Sequence, residues 1–193
     1  MFMTRTIVEM WRKFVATPQD RLPSGLREIL QSKFIEAYDC IVLDSMLQES
    51  WRPAHEPSKW NDIPTDLKEH YPDRTNFERI VSKIHVDDYL KKASERKAEQ
   101  AGVSKDQFHF QNALSFLVCV FKIFRVQYPA LVLRGIISMN DGFPPENCFS
   151  CCVYYHVKRD GESWLHLGLN YDLADDRLFV IDSDELPEEF YNS

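Results

Sequence analysis

Apolar residues recur at steps of three and four from the start of the chain to about residue 128. This spacing places them on one face of an amphipathic α-helix. The first stripe ends before Pro18, since proline lacks the amide hydrogen that a helix interior needs. The second stripe begins at Ser24, a residue suited to accept hydrogen bonds from first-turn amides. It predicts one long helix over residues 24–46.

Three more helices are predicted before residue 128. Residues 77–84 and 86–100 form two of them, and the second has opposite charges at four-residue steps along one face. Ser104 and Gln107 have the spacing of a capping box, in which each side chain accepts a hydrogen bond from a free amide of the other residue. They open a central helix over residues 108–126 that is apolar nearly all round, as expected of a helix surrounded by other elements.

After residue 129 the apolar period changes to two, and the residues become β-branched and aromatic. Asp160 and Gly161 give a strong hairpin signal because both central residues of a type I′ turn need a positive φ. A two-residue turn there places Arg159 opposite Glu162 and continues the strand pairing on both sides. The predicted strands cover residues 131–139, 149–158, 163–171 and 178–182.

These elements predict an α+β fold in which a helical N-terminal two-thirds packs on a C-terminal four-strand antiparallel meander. No flexible linker marks the change near residue 129, and 193 residues suit one compact domain. We therefore expect a single α+β domain over residues 1–193. Its helical part covers about 1–128, its sheet about 130–183, and its acidic tail 184–193.

The sequence favours a cytoplasmic protein. The amino terminus has no apolar segment of signal-peptide length. The most apolar stretch, residues 113–121, is much shorter than the roughly 20 apolar residues of a membrane helix. The five cysteines are an odd number, which fits no fully paired extracellular framework and favours reduced thiols.

The net charge of −7 comes from the carboxyl-terminal end of the chain. From residue 172 onward there are eight acidic residues and a single base, Arg177, while the preceding 171 residues hold equal numbers of acids and bases. Clustered carboxylates accelerate encounter with a basic partner and repel phosphate groups. We therefore expect a basic protein partner, and neither nucleic acid nor membrane.

Aromatic side chains lie among these acids and would supply anchors inside a charged rim. The same charges suit two other roles. They would protect a sheet edge and keep a tail soluble, or they would hold a divalent cation through Asp172, Asp182 and Asp184. The residues predicted to bind the partner are Trp164, Tyr171, Asp172, Asp175, Asp176, Asp182, Asp184 and Glu185.

The motifs that cofactors usually require are missing from the sequence. The six glycines lie too far apart for the phosphate-binding loops G-x-G-x-x-G and G-x-x-x-x-G-K. Cys148 and Cys151 form a single C-x-x-C, and on a strand their side chains would point to opposite faces instead of converging on zinc. We therefore expect no cofactor and no metal.

These observations predict a non-enzymatic, acidic binding protein of the immunity or inhibitor class, which neutralises a toxin such as a nuclease by masking its basic surface. One alternative is a small hydrolase or transferase. It would use His156 or His166 beside a Cys or Ser nucleophile, with Asp172 or Asp182 orienting the imidazole. Another alternative is a scaffold or adaptor protein whose apolar helices bind another chain.

Overall fold

The computed structural model of the chain describes residues 22–55, 57–140, 150–162, 176–186 and 191. In these ranges the helices are α1 (Ser24–Leu30), α2 (Thr65–His70), α3 (Arg74–Val81), α4 (Lys92–Gln100) and α5 (Lys105–Gln127). The strands are β1 (Phe34–Ala37), β2 (Cys40–Leu43), β3 (Ile84–His85), β4 (Leu133–Asn140), β5 (Ser150–Val157) and β6 (Asp176–Asp182). Short 3₁₀ turns cover Asp44–Met46, Glu49–Trp51, Trp60–Asp62, Val86–Tyr89 and Ser183–Glu185.

The predicted helical N-terminal two-thirds is wrong, because strands also lie near the amino terminus. In place of one helix over residues 24–46, α1 ends at Leu30 and an antiparallel hairpin of β1 and β2 follows. Tyr38 and Asp39, the two residues between the strands, have φ of 57° and 56°, as a type I′ turn requires. Strand β2 is buried along its whole length. Its continuous apolar run is typical of a fully buried strand and also of a buried helix, so periodicity alone does not distinguish the two.

The loop that follows β2 stabilises this turn. Ser58 binds both turn residues, since its Oγ accepts from the Tyr38 amide at 2.8 Å and its carbonyl oxygen accepts from the Asp39 amide at 3.2 Å. The Asp39 carboxylate accepts from the Trp60 amide at 3.0 Å and from Lys59 Nζ at 3.1 Å. Non-glycine residues tolerate positive φ only where the surroundings hold them there, and these four bonds do so.

The second sheet has the strand order β3-β5-β4-β6, with all pairs antiparallel. The predicted meander is therefore also wrong, because β4 lies between β5 and β6. The predicted strand over 163–171, with its pairing to β5, lies outside the described residues. The bridge between Arg159 and Glu162 is confirmed. In that turn, however, only Gly161 has a positive φ, so it is not type I′.

Helix α5 packs across this sheet and supplies more residues to the larger hydrophobic core than any other described element. One of the two bonds of the predicted capping box is confirmed, since Ser104 Oγ accepts from the Gln107 amide at 3.3 Å at the start of the helix. Gly135 in β4 permits the close approach, because a Cβ atom there would lie 2.6 Å from Cδ1 of Leu117. In the ranges described, no helix is long and apolar enough to cross a membrane.

Two polar side chains take hydrogen-bonding positions that a neighbouring strand would normally use. Gln127, the last residue of α5, binds Phe34 in β1: its Oε1 accepts from the amide at 2.9 Å and its Nε2 donates to the carbonyl at 3.3 Å. Ser82 Oγ likewise donates to the carbonyl of Tyr155 in β5 at 2.7 Å and accepts from its amide at 2.8 Å. Both strands are therefore fixed to helical segments through their own peptide groups.

Candidate functional site

A cleft of about 210 Å³ lies where the end of α5, the loop before β4 and the turn after β6 meet. We call it the C-terminal cleft. Leu131 on the loop is 42% exposed, so its apolar side chain is accessible from the cleft. The lining residues are Arg125, Pro129, Ala130, Leu131, Val132, Ser183, Asp184, Leu186 and Tyr191.

Hydrogen bonds and a ring contact hold the walls of the C-terminal cleft together. Ser183 Oγ accepts from the Leu133 amide at 3.0 Å, which fixes the turn after β6 to the start of β4. The Tyr191 hydroxyl donates to the Ser183 carbonyl oxygen. The guanidinium carbon of Arg125 lies 4.2 Å from the centre of the Tyr191 ring, within the range of a cation–π contact. The aromatic wall is therefore anchored from two sides.

Asp182, one of the predicted partner-binding residues, is buried and not exposed at the protein surface. It is 4% exposed, and Arg134 donates to both of its carboxylate oxygens at 2.6 and 2.7 Å. Lys158 Nζ adds a third bond at 2.8 Å. Burial opposes ionisation of Asp182, but the bonds and charges of these two bases outweigh it and hold the pKa of this carboxyl below its ordinary value. The Asp182 carboxylate is thus used within the fold.

Asp184 and Glu185 are the predicted partner-binding residues that the structure places at the surface. Both are exposed in the turn after β6, and Asp184 lines the C-terminal cleft. The Glu185 carboxylate also accepts from the Asp182 amide at 3.2 Å, which orders the turn. Of the two, Asp184 shares the cleft lining with exposed Leu131.

Of the remaining predicted partner-binding residues, the structure describes only the backbone of Asp176. Asp176 is the first residue of β6. The following predicted residues lie outside the described residues: Trp164, Tyr171, Asp172 and Asp175.

The structure does not bring His156 to a nucleophile. Its imidazole is buried, and Nδ1 lies 3.0 Å from the carbonyl oxygen of Val157, the next residue. Burial lowers the pKa of His156 below its ordinary value. The other candidate, His166, lies outside the described residues.

A cysteine–histidine contact occurs instead at the β3–β5 pairing, where His85 lies opposite Cys152. The Cys152 sulfur is 3.3 Å from His85 Nδ1, and Ser150 Oγ is 3.4 Å from both atoms. The thiol is 6% exposed, and burial raises its pKa above the ordinary value, which disfavours the reactive thiolate. The sequence offered little sign of His85, because β3 is only two residues long.

One family description matches residues 5–192, nearly the whole chain: "Uncharacterized protein PM0498 family". The chain belongs to this family. No curated protein and no solved structure matches it.

In the part of the chain that the structure describes, no three His, Cys, Asp or Glu residues are grouped as metal ligands would be. Asp182, one of the three carboxylates considered for a divalent cation, is bound by Arg134 and Lys158. The C-terminal cleft therefore offers apolar side chains together with one carboxylate, Asp184, and one cation, Arg125.

Proposed function

We propose that the chain is a non-enzymatic cytoplasmic binding protein that uses the C-terminal cleft and its acidic rim to bind a basic protein. The single observation that carries this proposal is the position of Asp184. Its exposed carboxylate lines a cleft that also contains the exposed apolar side chain of Leu131. This combination suits the side chain of a partner lysine or arginine, whose methylene groups need apolar contact and whose charged end needs a carboxylate.

The charge distribution supports a partner that is basic over a wider area. The chain has a net charge of −7, and eight acidic residues lie from residue 172 onward. Carboxylates at the rim of an interface act mainly through the association rate, because they steer the partner before contact. Apolar side chains at the centre of an interface, the position proposed for Leu131, slow dissociation because they exclude water from the contact.

The most specific form of the proposal is an immunity or inhibitor protein that neutralises a toxin, for example a nuclease. A nuclease presents a cationic surface to the phosphates of its substrate. An acidic protein with an apolar anchor would occupy that surface and compete with the substrate. This step rests on the analogy between classes of protein and on the charge of the chain.

The experiment begins with affinity capture of the tagged full-length chain from native cell extract at low and moderate salt. The captured basic protein is then purified, and its association and dissociation rates are measured across a range of salt concentrations. The test variant is Asp184→Lys/Glu185→Lys. The control is Glu69→Lys/Glu99→Lys, which makes the same change in net charge at two exposed acids on α2 and α4.

We expect the test variant to associate more slowly, by about tenfold at low salt, with a flatter salt dependence than the wild type. The control variant should change the rate much less, because its charges lie outside the C-terminal cleft. Equal effects of the two variants would show that only net charge matters, and would remove the cleft from the proposal. A partner that binds equally well at all salt concentrations would remove its electrostatic basis.

A second candidate function is the hydrolase or transferase class, favoured by the 3.3 Å contact between the Cys152 sulfur and His85 Nδ1. It requires a thiol that is more reactive than an ordinary cysteine. Burial of Cys152 favours the opposite behaviour, so the reactivity of this thiol separates the two candidates.

A further inference from the structure

A second cavity, of about 340 Å³, lies between α1, the turn Val86–Tyr89, and the first turns of α4 and α5. We call it the α1–α4 cavity. Its volume is at the small end of the range for sites that enclose small molecules. None of its lining residues belongs to the C-terminal cleft. Its chemistry is also different.

The charged side chains that line the α1–α4 cavity are both basic. Arg27 extends from α1 and Lys91 precedes α4, and both are exposed. Neither side chain forms an ion pair with another described residue, and no described residue of the lining is acidic. Two exposed cations without a carboxylate among the described lining residues favour an anionic ligand, because guanidinium and ammonium groups form charge-assisted hydrogen bonds to anions.

Aromatic rings form another part of the wall. The Tyr89 ring lies against the backbone of α1 at Gly25, where a Cβ atom would be 2.5 Å from Cδ1 and 2.9 Å from Cε1. Only glycine therefore allows the ring to take this position. Tyr89 is 36% exposed, and half-buried Phe108 also lines the cavity. These rings offer stacking or edge contacts to a planar ligand.

Small polar groups complete the lining. Ser24 and Ser94 are exposed at the cavity, so their hydroxyl groups can donate to a ligand oxygen. Asn112 donates from Nδ2 to the carbonyl oxygen of Phe108 at 2.8 Å, which sets the orientation of its amide. The cavity thus combines cations, neutral donors and aromatic rings, the set of groups that a small aromatic anion would use.

We propose that the α1–α4 cavity binds a small planar aromatic molecule that carries a carboxylate or a phosphate. The ring of the ligand contacts Tyr89 and Phe108, and its anionic group binds Arg27 and Lys91. The α1–α4 cavity and the C-terminal cleft have different lining residues, so this proposal does not depend on the function proposed above.

The experiment titrates the full-length, isotope-labelled chain with phenyl phosphate, benzoate and phenol, and follows backbone and side-chain resonances by NMR. Phenyl phosphate and benzoate distinguish the two anionic groups, and phenol tests the ring without the charge. The test variants are Arg27→Gln and Lys91→Gln. The control is Arg96→Gln, which removes an exposed cation of α4 that does not line the cavity. All three positions are exposed, so the variants are expected to fold.

We expect saturable shifts confined to the cavity residues, with one or both anions binding at least about tenfold more tightly than phenol. Each test variant should weaken that binding by about tenfold, and the control should leave it unchanged. Three results would overturn the proposal: no saturation up to about 10 mM of either anion, equal binding of phenol, or equal binding by wild type and the test variants.

Discussion

Glu78 and Arg159 are 81 residues apart in the chain, yet Arg159 Nη2 lies 2.6 Å from Glu78 Oε1 inside the protein. The Glu78 side chain is 1% exposed. Its carboxylate also accepts from the Ile41 amide at 2.6 Å and from the Val157 amide at 2.8 Å. One acidic side chain on α3 therefore connects the β1–β2 hairpin to the end of β5.

We predict that Glu78→Gln destabilises the protein by about 3 kcal/mol, because it removes the negative charge beside the largely buried Arg159 guanidinium and leaves it only the longer, 3.9 Å ion pair with Glu162. Urea unfolding followed by circular dichroism measures this change in the free energy of unfolding. Glu99→Gln is the matched control, since Glu99 is exposed at the end of α4 and should change stability by less than about 0.5 kcal/mol. Similar values for the two variants would contradict the role given to the buried pair.

The contact between α5 and β4 gives a second prediction. Gly135→Ala should cost about 1–3 kcal/mol, because the new methyl group meets the Leu117 side chain within van der Waals distance. Leu117→Val shortens that side chain, so the double variant should be more stable than the sum of the two single effects implies. Additive effects in the double-mutant cycle would show that the two residues do not compete for this space.

Two buried histidines predict a loss of stability in mild acid. Burial lowers the pKa of both His109 and His156 in the folded protein. As the pH falls below about 6.5, the ordinary histidine pKa, the unfolded chain therefore binds protons that the folded chain does not. Stability should fall by about 1 kcal/mol for each histidine between pH 7.5 and 5.5.

Urea unfolding at pH 7.5, 6.5 and 5.5 measures this dependence. The variant His109→Gln/His156→Gln should lose less stability over the same range, and each single variant should give an intermediate slope. Wild type and double variant with the same slope would mean that other groups cause the pH dependence.

The fourth prediction concerns the Cys152 thiol. Because burial raises its pKa and restricts access, iodoacetamide should alkylate it at least about tenfold more slowly in the folded protein than in urea. Tandem mass spectrometry separates Cys152 from its neighbours. His85→Phe tests the contact directly, and it should not slow the reaction further. Faster alkylation in the folded state, lost in His85→Phe, would instead favour the hydrolase or transferase.

The parts of the fold that the sequence predicted well have strong periodic patterns. The capped start of α5 and the strands β4, β5 and β6 fall close to their predicted ranges. The hairpin of β1 and β2 was missed, because its turn uses Tyr38 and Asp39 in place of glycine or asparagine. Hydrogen bonds from the Tyr38 amide to Ser58 and from the Trp60 amide to Asp39 hold that turn, and contacts between residues so far apart in the chain leave no periodic pattern in the sequence.

The candidate site was predicted only in part, for a related reason. The charge pattern indicated Asp184 and Glu185, which lie at the surface. It gave no sign that Asp182 is buried with Arg134, because that contact depends on the pairing of β4 with β6. Leu131 and Tyr191 likewise reach the same cleft only through the tertiary fold.

The bonds from Gln127 to Phe34 and from Ser82 to Tyr155 also bear on how copies of the chain meet one another. A strand with free peptide groups is a template on which another molecule can add its own strand, and this is a common route to aggregation. At Phe34 and Tyr155 both the amide and the carbonyl are already bonded to a side chain of the same molecule. A strand from another molecule therefore cannot pair at these two residues without displacing a side chain that is already bonded there.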